Sequence, residues 1–264
     1  ITRDDIRGPG GELIRLEMFV HGALCMAISG KCYLSLHEYN ASANRGNCYQ
    51  TCRRGYTVKD RETGYELDID NQYIMSPKDL CTIGFLDQVL GAGARVLKIE
   101  GRARPPEYVE TVVRCYGEAA AAVADGTFGK EKADGWMRQL ETVFNRGFWN
   151  GYYLGQRLGE WTTSYGSSAT RRKMLIGKVT NYFSKPGVAE IKLETGKLTV
   201  GDELLITGPT TGLVRHTVTE LRDAAEKNAV TVPGGEICSV RLSEPVRRSD
   251  KVFRWVEAAE AGKA

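Results

Sequence analysis

Residues Leu13 to Gly22 read LIRLEMFVHG, and residues Arg95 to Arg102 read RVLKIEGR. Each is a short apolar-rich run that stops at a glycine, the pattern of a buried strand followed by a turn. Strands this apolar are covered on both faces, which is the habit of parallel sheets. The two runs therefore predict an α/β fold. Behind the second run, Pro105-Pro106-Glu107 opens a helix in which Tyr108, Val112, Cys115 and Ala119 recur at helical spacing as far as Gly126. A second amphipathic helix is expected over Lys130 to Phe144, through Trp136 and Leu140. A hairpin is expected between Tyr56 and Tyr73, turning at Glu62-Thr63-Gly64. Ser76-Pro77-Lys78-Asp79 reads as a helix start, with Ser76 as N-cap, and that helix is expected to run to about Leu90. Two strand–loop–helix units do not complete a sheet. The chain is therefore expected to lack an N-terminal portion; strands supplied by a partner are the alternative.

From Met174 the texture changes. Short alternating runs, from Leu175–Tyr182 to Lys251–Trp255, are separated by Gly187, Gly196, Gly201, Gly208-Pro209 and Gly234-Gly235. Six or seven strands at this spacing predict a small closed or nearly closed β-barrel. Two domains are expected, 1–168 and 169–264.

Composition narrows the class. With 264 residues, 42% apolar and 26% charged, the chain can bury a core, which excludes disorder, collagen-like sequence and a coiled coil. No apolar run approaches the roughly 18 residues of a membrane span. Ile1 to Gly11 is polar and Gly-rich and does not read as a signal peptide; the chain starts on Ile, as though its true start were missing. The net charge of +3 neither demands nucleic acid nor excludes it. It is uneven: from Arg171 onward there are 16 Lys and Arg against 12 Asp and Glu. Arg171-Arg172-Lys173 could contact phosphates, though a charged linker is the usual use of such a run.

Five of the seven cysteines fall between Cys25 and Cys81, spaced Cys25-x6-Cys32-x15-Cys48-x3-Cys52-x28-Cys81. An odd, clustered set is not a disulfide framework and suggests a reduced, cytoplasmic chain. The segment Ala23 to Arg54 reads as a long loop with short helical pieces, and loops of that length are usually functional. Four thiolates suit zinc or an iron–sulfur cluster; without paired CxxC knuckles the spacing leans towards a cluster. Buried structural thiols are the alternative, and they account for Cys115 and Cys238. At the ends of the two strands stand His21 and then Lys98, Glu100 and Arg102. His21 is either a general base or metal ligand, or a histidine that fixes the following loop by hydrogen bonds. Lys98, Glu100 and Arg102 either bind a carboxylate substrate or form a structural ion pair. Arg53, Arg54 and Arg104 are further anion-binding candidates or solvated surface charges. Arg146 could stack on a substrate or pack on its aromatic neighbours.

The stretches EMFVHGALCMAISGKCYLS (Glu17 to Ser35), NRGNCYQTCR (Asn44 to Arg53), SPKDLC (Ser76 to Cys81), KIEGR (Lys98 to Arg102) and FNRGFWNGYYLG (Phe144 to Gly155) resemble the collagenase-like peptidase family of unassigned catalytic type, peptidase family U32. The C-terminal IGKV and GDELLITGPTTG continue the resemblance. It implies the later part of a TIM-type (β/α) barrel followed by a small β-barrel. It also implies a [4Fe–4S] cluster on Cys25, Cys32, Cys48 and Cys81, with Cys52 as the alternative ligand. The branch it resembles most acts on tRNA, making 5-hydroxyuridine at the wobble position with the hydroxyl taken from prephenate and not from O2. In that setting Arg102 and Lys98 would hold prephenate carboxylates, Glu100 or His21 would move protons, and the β-barrel would hold RNA. Implied partners are tRNA, the small carboxylate co-substrate, and a second copy or related family member. Proteolysis is the alternative activity; the chain has no GxSxG, no HExxH and only three histidines, His21, His37 and His216. A nonenzymatic RNA-binding module with a structural metal is the third reading.

Overall fold

The computed structural model describes residues 6–25, 27, 30–54, 56–67, 77–156, 160–162 and 166–261. The chain forms two compact units, Ile1–Arg104 with Tyr108–Ala169, and Pro105–Glu107 with Thr170–Ala264. Among the described residues no helix is long and apolar enough to cross a membrane.

The first unit carries, in order, β1 (Leu16–Gly22), α1 (Tyr33–Tyr39), β2 (Val58–Lys59), β3 (Glu66–Leu67), β4 (Asp79–Cys81), α2 (Leu86–Gly91), β5 (Ala94–Ile99), α3 (Pro106–Ala124), α4 (Lys130–Glu141) and β6 (Phe148–Trp149). Its main sheet has the order β5-β1-β4-β6. The two runs that predicted the fold, β1 and β5, lie side by side in parallel. β4 runs antiparallel to β1, and β6 is parallel to β4. This open, mixed sheet of four strands is not a closed TIM barrel among the described residues. β2 and β3 form the expected hairpin; the far end of the segment expected for it, at Tyr73, lies outside the described residues.

α3 covers the sheet with the stripe that its sequence spacing announces: Tyr108, Val112, Cys115, Tyr116 and Ala119 are buried. The Tyr116 hydroxyl donates to the Val20 carbonyl at 2.9 Å and accepts from the Thr82 amide at 3.0 Å. The Thr82 amide also donates to the Val20 carbonyl at 3.1 Å, so the hydroxyl adds a second bond to each backbone group and ties α3 to β1 and to the residue after β4. α4 turns Trp136 and Leu140 inward.

The helix expected from Ser76 to Leu90 is a correction. Ser76 lies outside the described residues; Asp79–Cys81 is a strand, a 3-10 turn follows at Ile83–Phe85, and the α-helix starts only at Leu86. Pairing with β1 on one side and β6 on the other outweighs the local helix-start signal.

The second unit contains β7 (Arg171–Phe183), β8 (Val188–Leu193), β9 (Lys197–Thr199), β10 (Glu203–Gly208), β11 (Gly212–Thr217), β12 (Leu221–Arg222), β13 (Thr231–Pro233), β14 (Ile237–Arg241), β15 (Lys251–Glu257) and the short α5 (Ala258–Ala261). Seven strands make one antiparallel sheet, β11-β10-β15-β7-β8-β14-β12, and β13 pairs with β9. Ile176, Ile191, Leu193, Leu198, Leu204, Ile206, Val232, Cys238 and Val252 share one buried core. The edge strands β11 and β12 do not pair with each other, so the expected closed barrel is not found among the described residues. The unit has nine strands where six or seven were expected, the short β9 among those missed, and turn spacing does not say whether the first and last meet.

Candidate active site

The register of the first sheet brings four chain segments to one end. His21 sits opposite Cys81 on β4 and Ile99 on β5, and Asp79 opposite Phe148 on β6. The carboxyl ends of β1 and β5 therefore meet the amino ends of β4 and β6. Gly22 lets the first two ends close up: its φ is 124°, and a Cβ there would lie 2.8 Å from the Glu100 Cβ. The Glu100 amide donates to the His21 carbonyl at 2.9 Å.

His21 is buried among the rings of Tyr108, Tyr116 and Phe148, with centroids 5.9, 5.5 and 5.4 Å away. Its Nδ1 is 3.4 Å from the Tyr116 hydroxyl, and its Nε2 has no hydrogen-bond partner among the described residues. Burial, helped by the charge of Arg104, pulls its pKa down to about 3. The imidazole is therefore neutral at ordinary pH.

Beside it, Asp79 is buried at the start of β4. Arg146 approaches its Oδ1 at 3.4 Å, and Arg104 its Oδ2 at 3.7 Å. Arg53 donates to the carbonyls of Leu24 at 2.8 Å and Pro77 at 3.0 Å. Burial raises the Asp79 carboxyl above its ordinary value, although Arg146, Arg104 and Arg53 all pull it down. Burial likewise lowers Arg146.

The cysteine loop leaves directly from the end of β1. Cys32 caps α1, its sulfur accepting from the Ser35 amide at 3.5 Å, and hydrogen bonding from Ser35 holds its thiol below the usual range. Cys25 accepts from the Ala27 amide at 3.3 Å. Cys52 is raised chiefly by burial, opposed by Arg53, and further raised by the nearby thiols Cys25, Cys48 and Cys32. Cys81 is buried in β4 with the Tyr116 hydroxyl 3.8 Å away, and burial pushes its thiol up to about 12. All the cysteines are free. Among the described residues no three His, Cys, Asp or Glu side chains stand close enough to hold one metal ion.

A cavity of about 190 Å³ adjoins the loop, lined by Leu24, Cys25, Leu80, Trp149, Tyr152 and Trp161 among others. The buried Trp149 indole N–H has no hydrogen-bond partner among the described residues.

The remaining expected site residues lie around this end of the sheet without converging on it. Lys98 is 60% exposed and pairs with Glu17 at 3.2 Å. The Glu100 carboxylate accepts from the Arg102 amide at 2.6 Å. Arg102 donates to the Gly46 carbonyl and so ties the end of β5 to the cysteine loop. Asp79, which no sequence signal singled out, is the acid that the buried arginines share.

The model of the family described as peptidase family U32 matches residues 9–163. A protein named collagenase from Porphyromonas gingivalis (strain W83) is 60% identical over 260 residues, 98% of this chain and 63% of its own length. An uncharacterized protease of Methanocaldococcus jannaschii is 37% identical over 245 residues, covering 91% of this chain and 59% of that protein. The tRNA hydroxylation protein P1 of Bacillus subtilis is 30% identical over 215 residues, covering 80% of this chain and half of that protein. The chain thus spans about three fifths of the first and second of these relatives and half of the third. With a family model covering more than half of its residues and the cysteine loop, both parallel strands and the buried arginines all inside that match, the chain belongs to peptidase family U32.

Proposed function

We propose that this chain is the catalytic part of an enzyme that hydroxylates a tRNA uridine without O2, using a carboxylate co-substrate and a thiolate-held [4Fe–4S] centre. What carries the reading is the set of free thiols Cys25, Cys32, Cys48 and Cys52 on the loop that leaves β1. In donor chemistry the set fits: four thiols, none in a disulfide. Cys25, Cys32, Cys48 and Cys52 would hold it, Cys52 in place of Cys81. When bound, such a centre supplies electron transfer. The chain's own residues would do the rest. Arg102 holds the loop against the end of β5. The cavity beside Cys25 offers aromatic faces on which a base can stack. His21 stays neutral beside the Arg104 charge and adds no further cation to the sheet end. Relatives named tRNA hydroxylation proteins support the reaction class, and tRNA as substrate would place the enzyme in the cytoplasm.

Peptide hydrolysis is the second reading, favoured by the collagenase at 60% identity. The geometry supports it less. Among the described residues no serine or cysteine is hydrogen-bonded to a histidine, and His21 is buried with its pKa near 3.

The test is anaerobic purification with iron and sulfide analysis, paired with mass spectrometry of tRNA from a deletion strain. Bound iron and sulfide, with loss of 5-hydroxyuridine that only the cysteine-intact gene restores, is the expected result. An iron-free anaerobic preparation, or unchanged hydroxyuridine, removes the reading. Collagen cleavage that survives replacement of the loop cysteines by serine establishes the second.

A further inference from the structure

The face of the second unit's sheet that turns away from its core carries a cavity of about 420 Å³, lined by Phe183, Val188, Glu220, Arg222, Glu226 and Arg241 among others. Strand register sets the row. Phe183 on β7 pairs with Val188 on β8, and Val188 with Arg241 on β14. Residues directly opposite one another in an antiparallel pair point to the same face. Ser239, two positions before Arg241, shares that face and sits opposite Arg222 on β12. The alternate residues Ala189, Cys238, Val240 and Leu221 belong to the buried core. Phe183 is therefore a large apolar ring on the solvent side, 45% exposed. The Gly187 amide donates to the Phe183 carbonyl at 3.0 Å and closes the turn from β7 to β8, which fixes the backbone under the ring. Glu220 accepts from Arg222 at 2.7 and 2.8 Å. Arg241 and Glu226 are exposed and enter no ion pair among the described residues.

We propose that this cavity binds one unpaired nucleotide of a single-stranded RNA segment, with the base stacked on Phe183, the phosphate on Arg241 and the amino group of the base on Glu226. As a hold on the tRNA substrate the site rests on the hydroxylation reading; as a nucleotide site it stands on its own side chains. An exposed aromatic ring on a sheet face, beside a cation, is the arrangement on which single-stranded bases stack. Two strand spacings, roughly 10 Å, separate the backbones of Phe183 and Arg241, and both side chains line the one cavity. The two carboxylates would repel a bare phosphate or another small anion. They suit a ring that carries N–H donors, since an ionised carboxylate only accepts. Adenine and cytosine present an amino group; uracil does not. The volume lies in the usual range of small-ligand sites, about 300–1,000 Å³, and takes one splayed nucleotide and not a duplex. A proline-rich peptide would use the aromatic wall and leave both charged groups idle.

The experiment is fluorescence anisotropy of labelled oligo(A), oligo(C) and oligo(U) RNA with the anaerobically purified full chain, across a salt series. Oligo(A) and oligo(C) are expected to bind at least threefold more tightly than oligo(U). Phe183→Leu keeps an apolar side chain, removes the stacking face and is expected to weaken oligo(A) at least tenfold. Arg241→Gln is expected to weaken all three and to lower the slope of log affinity against log salt by about 0.7, the share of one phosphate contact on a single strand. Glu226→Ala is expected to abolish the preference over oligo(U). Unchanged oligo(A) affinity in folded Phe183→Leu overturns the site, and so does equal affinity of the wild type for the three RNAs. Binding of a Pro-Pro-Gly repeat peptide that Phe183→Leu destroys, with RNA binding intact, assigns the face to a peptide and also overturns it. If Phe183→Leu does not fold, Arg241→Gln decides, and an unchanged salt slope overturns the proposal. Hydroxyuridine formation assayed on the same wild-type preparation separates this idea from the reaction. Phe183-dependent RNA binding without hydroxylation keeps the site and sinks the reaction. Hydroxylation with Phe183-independent RNA binding does the reverse.

Discussion

The guanidinium of Arg104 lies over the ring of Phe144, its central carbon 4.0 Å from the centroid. Such a contact, with the cation largely removed from water, contributes about 0.5–2 kcal/mol. Phe144→Leu keeps apolar volume and removes the π face. Denaturant unfolding should show a loss of about 1–2 kcal/mol, most of which disappears when Arg104 is already Gln. A double-mutant cycle with coupling near zero would show that Phe144 merely fills space there.

Cys52 and Cys81 make opposite predictions. Cys52 lies among the other loop thiols, whereas Cys81 is sealed into β4 beneath Tyr116. Cys52→Ser should more than halve the iron bound per chain after anaerobic purification while leaving thermal stability nearly unchanged. Cys81→Ala should keep its iron and cost roughly 1–3 kcal/mol of stability as a buried truncation. The reverse pattern returns Cys81 to the ligand set.

How much of this was legible in the sequence depends on whether the signal is local. β1 and β5 could be read because an apolar run ended by glycine has few other uses, and they do pair in parallel. β4 could not, because Ser-Pro-Lys-Asp satisfies the first turn of a helix equally well. Only pairing with β1 and β6, distant in sequence, makes three residues a strand. The same fact hid Asp79, since an acid at the third position of an expected helix has an ordinary use. Strand alternation drew attention to Lys98, but that face of β5 is exposed and the ammonium pairs with Glu17. Arg104 and Arg146 come from separate segments, and nothing in their spacing foretells that both meet Asp79.

In the second unit, β7 bulges where Ile176 is passed over between the pairings of Gly177 with Val252 and Leu175 with Phe253. A Cβ on Gly177 would run into the Lys192 carbonyl on β8. Backbone cannot yield there without breaking the pairing of the two strands. Gly177→Ala should therefore cost about 2–4 kcal/mol, within the range of strongly destabilising single changes. Gly212→Ala has open space around its Cβ but a φ of 72°, so it should cost less, about 1 kcal/mol. Equal losses in the two variants, measured by thermal unfolding, would mean that the clash is relieved by a shift of β8.

His21 gives the first unit an acid weakness with a definite sign. Its folded pKa is about 3, below the 6.5 of an unperturbed imidazole, chiefly through burial and secondarily through Arg104. The unfolded chain therefore binds the extra proton first as pH falls below 6.5. Stability is full above that value and declines towards pH 3, by about 1.4 kcal/mol per unit for this one group. Between pH 7.5 and 4.5 the contribution lost is roughly 2–3 kcal/mol. His21→Gln cannot take up that proton, so although less stable overall at neutral pH it should lose less on acidification. Urea unfolding of both proteins at pH 7.5, 6 and 4.5 reads the difference directly. Parallel pH profiles would mean that the imidazole is as easily protonated in the folded protein as in the unfolded chain. The ring would then have to reach water, contrary to its enclosure by Tyr108, Tyr116 and Phe148.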